Sequence, residues 1–174
     1  MPDGDDAQFR AFIHDFLAFS AKVNQIRNGF GEYLGLSGVA YTTLMSIAFL
    51  QQSQSIGVNE LAEHLHLSPA FVTIEVNKLV KAGLIEKKPN KKDRRRVLLT
   101  LSPKGRLKLD ELVEVQVPVN DALFESLSKD EFVELSRSIR RLVLCGDHAL
   151  SLLNLLRTER STTVRLAADE LAGA

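Results

Sequence analysis

The sequence predicts a mainly α-helical chain whose middle third carries two short helices followed by a small two-stranded β-hairpin. Three observations predict it. Apolar residues recur at helical spacing along much of the 174 residues, capping signals mark where helices begin, and Leu84 to Leu101 switches to β-compatible runs around a charged tip. A 45% apolar composition with ten glycines and five prolines suits an ordinary core in one or two small domains.

The first periodic element joins Phe9, Phe12, Phe16, Phe19, Val23, Ile26 and Phe30 at alternating steps of three and four. That is a heptad-like seam along one face of a long helix, with Asp15, Lys22, Gln25 and Arg27 largely off it. A seam so long requires a partner. A second helix follows Gly35, carrying Leu36, Val39, Leu44, Ile47 and Leu50, and ends in the polar run from Gln51 to Ser55 and at Gly57. A third spans Val58 to Leu65, capped by Gly57 or Asn59, with Leu61, Ala62 and Leu65 on one face.

After His66 and Leu67, Ser68-Pro69 opens the fourth helix: serine as N-cap, and proline at the first helical position, where its missing N–H costs nothing. This helix runs to Ala82, and Gly83 stops it. At 100° per residue Val72, Val76, Leu79 and Val80 share the buried sector. Ala70, Ile74, Asn77 and Lys81 point the other way, flanked by Thr73 and Lys78. Leu84 to Lys88 and Val97 to Leu101 then form a hairpin whose tip, Pro89 to Arg96, is long and basic.

Ser102-Pro103 repeats the serine-proline start signal. The helix it opens passes through Leu107, Leu112 and Val115; Pro118 is expected to bend or interrupt it before Leu123, Phe124 and Leu127. Ser128 with Glu131 is a capping box for a last helix through Phe132, Leu135, Ile139, Leu142 and Val143, continuing with Leu152, Leu153 and Leu156. The apolar helix surface exceeds what so small a chain needs alone, and a two-fold homodimer would absorb it. The expected organisation is a tail at 1–6, a helical dimerisation region at 7–34 and 103–157, a domain of short helices and hairpin at 36–101, and a tail or short terminal helix at 158–174.

The formal net charge of zero hides a strong segregation. Between Lys78 and Lys108 twelve basic residues face only Glu86 and Asp93, a local net of +10, so the rest of the chain carries −10. A basic block on an acidic chain is the footprint of a polyanion-binding element. A helix-turn-helix with a basic hairpin behind it is the layout of a winged DNA reader. Its second helix enters the major groove of double-stranded DNA, and its wing follows the backbone or the minor groove.

The run Glu60-Leu61-Ala62, Leu67-Ser68-Pro69, Leu79, Gly83-Leu84-Ile85, Asp93-Arg94-Arg95, Val97-Leu98 and Leu101-Ser102-Pro103-Lys104-Gly105 resembles the MarR (multiple-antibiotic-resistance regulator) family. The resemblance implies a dimer with one wing per subunit on a pseudo-palindromic operator, usually a repressor. It also implies a small phenolic or anionic effector near the junction of the dimer and DNA domains. Arg94 and Arg95 stand at the family's DNA-contacting wing arginines, and a narrow minor groove attracts guanidinium groups. Asp93 would orient Arg95 rather than touch DNA. Lys91, Lys92 and Arg96 would add phosphate contacts or simply solvate the tip. Ser68, Ala70, Thr73, Asn77 and Lys78 are the recognition-helix candidates by face and by motif. Two positions depart from the pattern: Ile74 stands where relatives often carry arginine, and Glu75 where they carry an apolar residue. Isoleucine can meet a thymine methyl but cannot make arginine's bidentate contact to guanine.

Other chemistries find little support. His64 and His66 are two apart and would diverge by about 200° on a helix, so they do not share a metal, and they read as surface histidines. No cofactor site is expected. Cys145, the one cysteine, reads as a buried structural thiol. Neither a G-x-S-x-G nor a GxxxxGK[ST] pattern occurs, so the chain is not expected to be an enzyme. The absence of an 18-residue apolar run or a signal-like N-terminus predicts a cytoplasmic chain without a membrane partner. His14, Arg27, Tyr33 and Tyr41 are candidates to line an effector pocket. The competing reading is a winged-helix protein-interaction module without specific DNA binding, which the basic block disfavours.

Overall fold

The computed structural model describes residues 6–53, 55–90 and 96–172, with side chains to 158. The described elements are α1 (Asp6–Tyr33), α2 (Gly38–Leu50), α3 (Val58–Leu65), α4 (Pro69–Lys81), β1 (Ile85–Pro89), β2 (Val97–Leu101), α5 (Pro103–Phe124) and α6 (Lys129–Ala172). They divide into two units, Met1–Val119 and Asn120–Ala174. Among the described residues no single helix is long and apolar enough to cross a membrane.

In the first unit α1 and α2 meet at 87°. The reversal between them is a Schellman motif. The Leu36 N–H bonds the Gly31 carbonyl at 2.8 Å, with Gly35 in the left-handed region, and Ser37 then caps α2 by accepting from the Ala40 N–H at 3.2 Å. The same device ends α3 and α4: Leu67 bonds back to Ala62 at 3.0 Å, and Leu84 to Leu79 at 2.9 Å. Gly83 supplies the left-handed residue after α4 at φ 73°, as its position in the sequence predicts, but after α3 the role falls to His66 at φ 52°.

The main core packs Leu44, Ile47 and Leu50 of α2, Leu61 and Ala62 of α3, and Val72, Val76 and Leu79 of α4 against Leu84, Ile85, Leu99 and Leu101 of the hairpin. These are the faces that the helical period assigns, save that Leu36, Val39, Leu65 and Val80 are only partly buried and Glu75 joins the buried set. β1 and β2 pair antiparallel from Ile85 opposite Leu101 to Pro89 opposite Val97. The Leu99 N–H also reaches the Ile56 carbonyl ahead of α3 at 2.8 Å, tying the hairpin base to the helix-turn-helix. A smaller cluster gathers Phe30, Leu34, Tyr41 and Leu112.

The start of α5 is fastened to the end of α4. The Ser102 hydroxyl donates to the Gly83 carbonyl at 2.6 Å and accepts the Gly105 N–H at 2.9 Å, while the Lys104 ammonium reaches the Ala82 carbonyl at 2.9 Å. A Cβ on Gly105 would collide with the Leu84 carbonyl, so this close approach requires glycine.

Two expectations need correction. Of the two effects expected of Pro118, interruption does not occur: α5 continues as one helix to Phe124. Proline there removes one N–H from the ladder, the bond to the Glu114 carbonyl, and helix on both sides propagates across the gap. Cys145 is exposed on α6, not buried. In the second unit the Ser128–Glu131 capping box forms as predicted, the Glu131 carboxylate accepting the Ser128 N–H at 2.8 Å. α6 then runs for 44 residues as one helix.

Candidate nucleic-acid interface

Ser68 accepts the Phe71 N–H at 3.3 Å and Pro69 occupies the first turn, so the predicted cap sets where α4 begins. The buried face of α4 fixes its outward one: Ser68, Ala70, Ile74, Asn77, Lys78 and Lys81 are exposed, and Thr73 is half-buried. These seven candidates therefore stand on or beside one surface. Lys91, Lys92, Asp93, Arg94 and Arg95 lie outside the described residues.

Several of the polar groups on this surface are engaged within the chain. The Thr73 hydroxyl donates to the Pro69 carbonyl at 2.7 Å, and the Asn77 side-chain carbonyl accepts from the Lys87 ammonium of β1 at 2.7 Å. Lys78 pairs with Glu75 at 2.7 Å. Glu75, only 4% exposed, keeps its second oxygen buried without a hydrogen-bond partner.

The wing base has its own anchor. Glu60 accepts the Gly57 N–H at 3.0 Å through one carboxylate oxygen, and the other takes the Arg96 guanidinium. Arg96, expected on phosphate or in solvent, is thus placed on α3 as a brace for β2. Sequence reasoning missed Lys87 and Glu60 in these roles. Glu60 carries a local signal, since it stands three residues after Gly57, at the glutamate position of a capping box. Arg96 is 36 residues away, and nothing local announces that contact.

A second feature of the same unit is a cleft of about 330 Å³ lined by Arg27 of α1, Tyr41, Thr42, Met45, Ser46 and Phe49 of α2, and His64 of α3. It brings together two of the four predicted effector residues, Arg27 and Tyr41; His14 and Tyr33 do not line it. His64 is exposed, and its ring lies over Phe49 with centroids 6.0 Å apart. The Tyr41 oxygen accepts from Gln116 at 3.2 Å, which leaves its own proton to donate, and burial raises its pKa above the ordinary 10.0. The Arg27 Nε is buried and has no hydrogen-bond partner among the described residues.

Residues 41–97, from within α2 to the start of β2, match the model of the MarR family. The HTH-type transcriptional repressor MdtR of Bacillus subtilis is 26% identical over 131 residues, 75% of this chain and 84% of that protein. A mutant MarR from E. coli complexed with operator DNA superposes with a TM-score of 0.63 at 23% identity, covering 78% of this chain and 94% of its own. The S. aureus MepR–DNA complex gives 0.63 at 18% identity, covering 74% and 91%. The six helices and two-stranded hairpin of the described residues are the winged-helix fold of these structures.

Proposed function

We propose, on the premise that this chain is a member of the MarR family, that it is a sequence-specific DNA-binding regulator of transcription. It acts as a homodimer on a pseudo-palindromic operator, as a repressor that a small effector releases. The observation that carries this reading is the pairing of an exposed, apolar-centred face on α4 with a hairpin tied to the helix-turn-helix by Lys87 on Asn77 of α4 and Arg96 on Glu60 of α3, the segment from Lys78 to Lys108 carrying a net charge of +10. The operator complexes of structurally similar proteins support it.

The test is a salt titration of duplex binding by the full chain. Wing contacts to phosphates release counterions, so log affinity should fall steeply and linearly with log salt, by about 0.9 per phosphate neutralised. Replacing Arg94 and Arg95 by alanine removes up to four contacts per dimer and should lower that slope by up to about 3.6. Unmeasurable duplex affinity at low salt would overturn the proposal.

The effector reading rests on the cleft. The side chains of Arg27 and Tyr41 line it together with Met45 and Phe49, a combination of polar groups and apolar wall suited to an aromatic acid or phenol. Titration with a hydroxybenzoate is expected to release the duplex, with the Arg27→Ala variant about tenfold less responsive, as for the loss of a hydrogen bond to a charged group. Release that is equal in both proteins would remove the cleft from the scheme.

A further inference from the structure

Within the DNA-binding reading, and resting on it, the structure says what α4 can read. Base discrimination in the major groove uses either hydrogen bonds to base edges or apolar contact with the C5-methyl of thymine. On the outward face of α4 the first resource is depleted. The Thr73 proton is held by the Pro69 carbonyl, the Asn77 carbonyl is occupied by Lys87, Lys78 is drawn to Glu75, and the Ser68 oxygen caps the helix.

The second resource is abundant. Ile74 is 54% exposed midway along the helix, Ala70 lies one turn before it on the same face, and Phe71 beside it is 40% exposed. An exposed apolar patch at the centre of a face that leads into a strongly basic segment is chemically matched to methyl groups on the floor of a polyanionic groove.

We propose that Ile74 is the principal specificity-determining residue of α4, and that it recognises a thymine methyl in each half-site of the operator. Asn77 keeps its amide hydrogens for a neighbouring acceptor, and Lys81, exposed one turn further on, meets the backbone.

The test isolates one methyl group. Bound duplexes are selected from a random pool by the full-length protein, and each thymine of the selected half-site is replaced in turn by deoxyuridine, which lacks only that methyl. Affinities are measured at one fixed salt concentration for the wild-type protein and for Ile74→Ala, with thermal melting as the check that the variant folds. At one thymine per half-site, uracil is expected to weaken wild-type binding about fourfold, the transfer value of one buried carbon, and about fifteenfold when both half-sites are changed. Ile74→Ala should bind the thymine duplex correspondingly weakly and change less than twofold on the same replacement. Uracil tolerated within twofold at every position, with duplex binding intact, would overturn the proposal and leave the DNA-binding reading standing. So would an equal loss in both proteins. Failure to select any duplex would overturn the DNA-binding reading itself, and this inference with it.

Discussion

At the scale of single residues, Glu75 is the side chain most at odds with its surroundings. It is a carboxylate 4% exposed on the core side of α4, with one oxygen paired to the exposed Lys78 and the other without a hydrogen bond. Such a group bears the desolvation cost of burial with half of the usual compensation. Glu75→Leu fills the same space without that cost and is expected to stabilise the protein by about 1 kcal/mol, raising the melting temperature by about 2–4 °C in calorimetry. The substitution also frees the Lys78 ammonium, so duplex affinity should rise at low salt and the rise should fade as salt is added. The sequence flags Glu75 as a departure from the family pattern. That it is buried, and that it restrains Lys78, follows only once the packing of α4 is known.

At the scale of elements, local chemistry was the most legible. Ser68-Pro69, Gly83, Ser102-Pro103 and Ser128 with Glu131 mark helix ends through interactions spanning three to five residues, and each stands where its signal places it. What escaped is contact across long separations, such as Arg96 with Glu60, and the effect of Pro118, which depends on the helix around it. The start of α6 also has a readable pH dependence. The Glu131 pKa is lowered from the ordinary 4.5 by hydrogen bonds first from the Ser128 side chain and then from its backbone N–H. A lowered carboxylate contributes stability that is complete above its unfolded value and vanishes as pH falls through the folded one. Circular dichroism at 222 nm should therefore show the first turn of α6 loosening as pH falls below the ordinary carboxylate range, and Glu131→Gln should abolish that component.

At the scale of the whole molecule, each unit carries a long helix with an exposed apolar face. α1 exposes Phe9, Phe12, Phe16, Phe19 and Val23, and α6 exposes Phe132, Leu135, Leu142, Leu152, Leu153 and Leu156. At 1.5 Å per residue the 44 residues of α6 extend about 66 Å, too long for burial by a partner within its own unit. The proposed homodimer predicts a sedimenting species of twice 19.3 kDa. Leu142→Asp with Leu153→Asp should shift it to one chain mass at micromolar concentration, because each places a charge in the apolar seam. The seam of phenylalanines is visible in the sequence as period, but period alone does not tell whether a neighbouring helix or a second chain fills it.

The Ser102 joint has a mechanical consequence. One hydroxyl bridges the carbonyl that ends α4 and the amide that begins α5, and Gly105 admits the Leu84 carbonyl at a distance no side chain would tolerate. There is no slack at that corner. Any motion that an effector drives must therefore carry α4, the hairpin base and the head of α5 together as a single stiff block. Their amides should exchange with solvent as one cooperative group, and the compliance that permits switching belongs elsewhere in the fold.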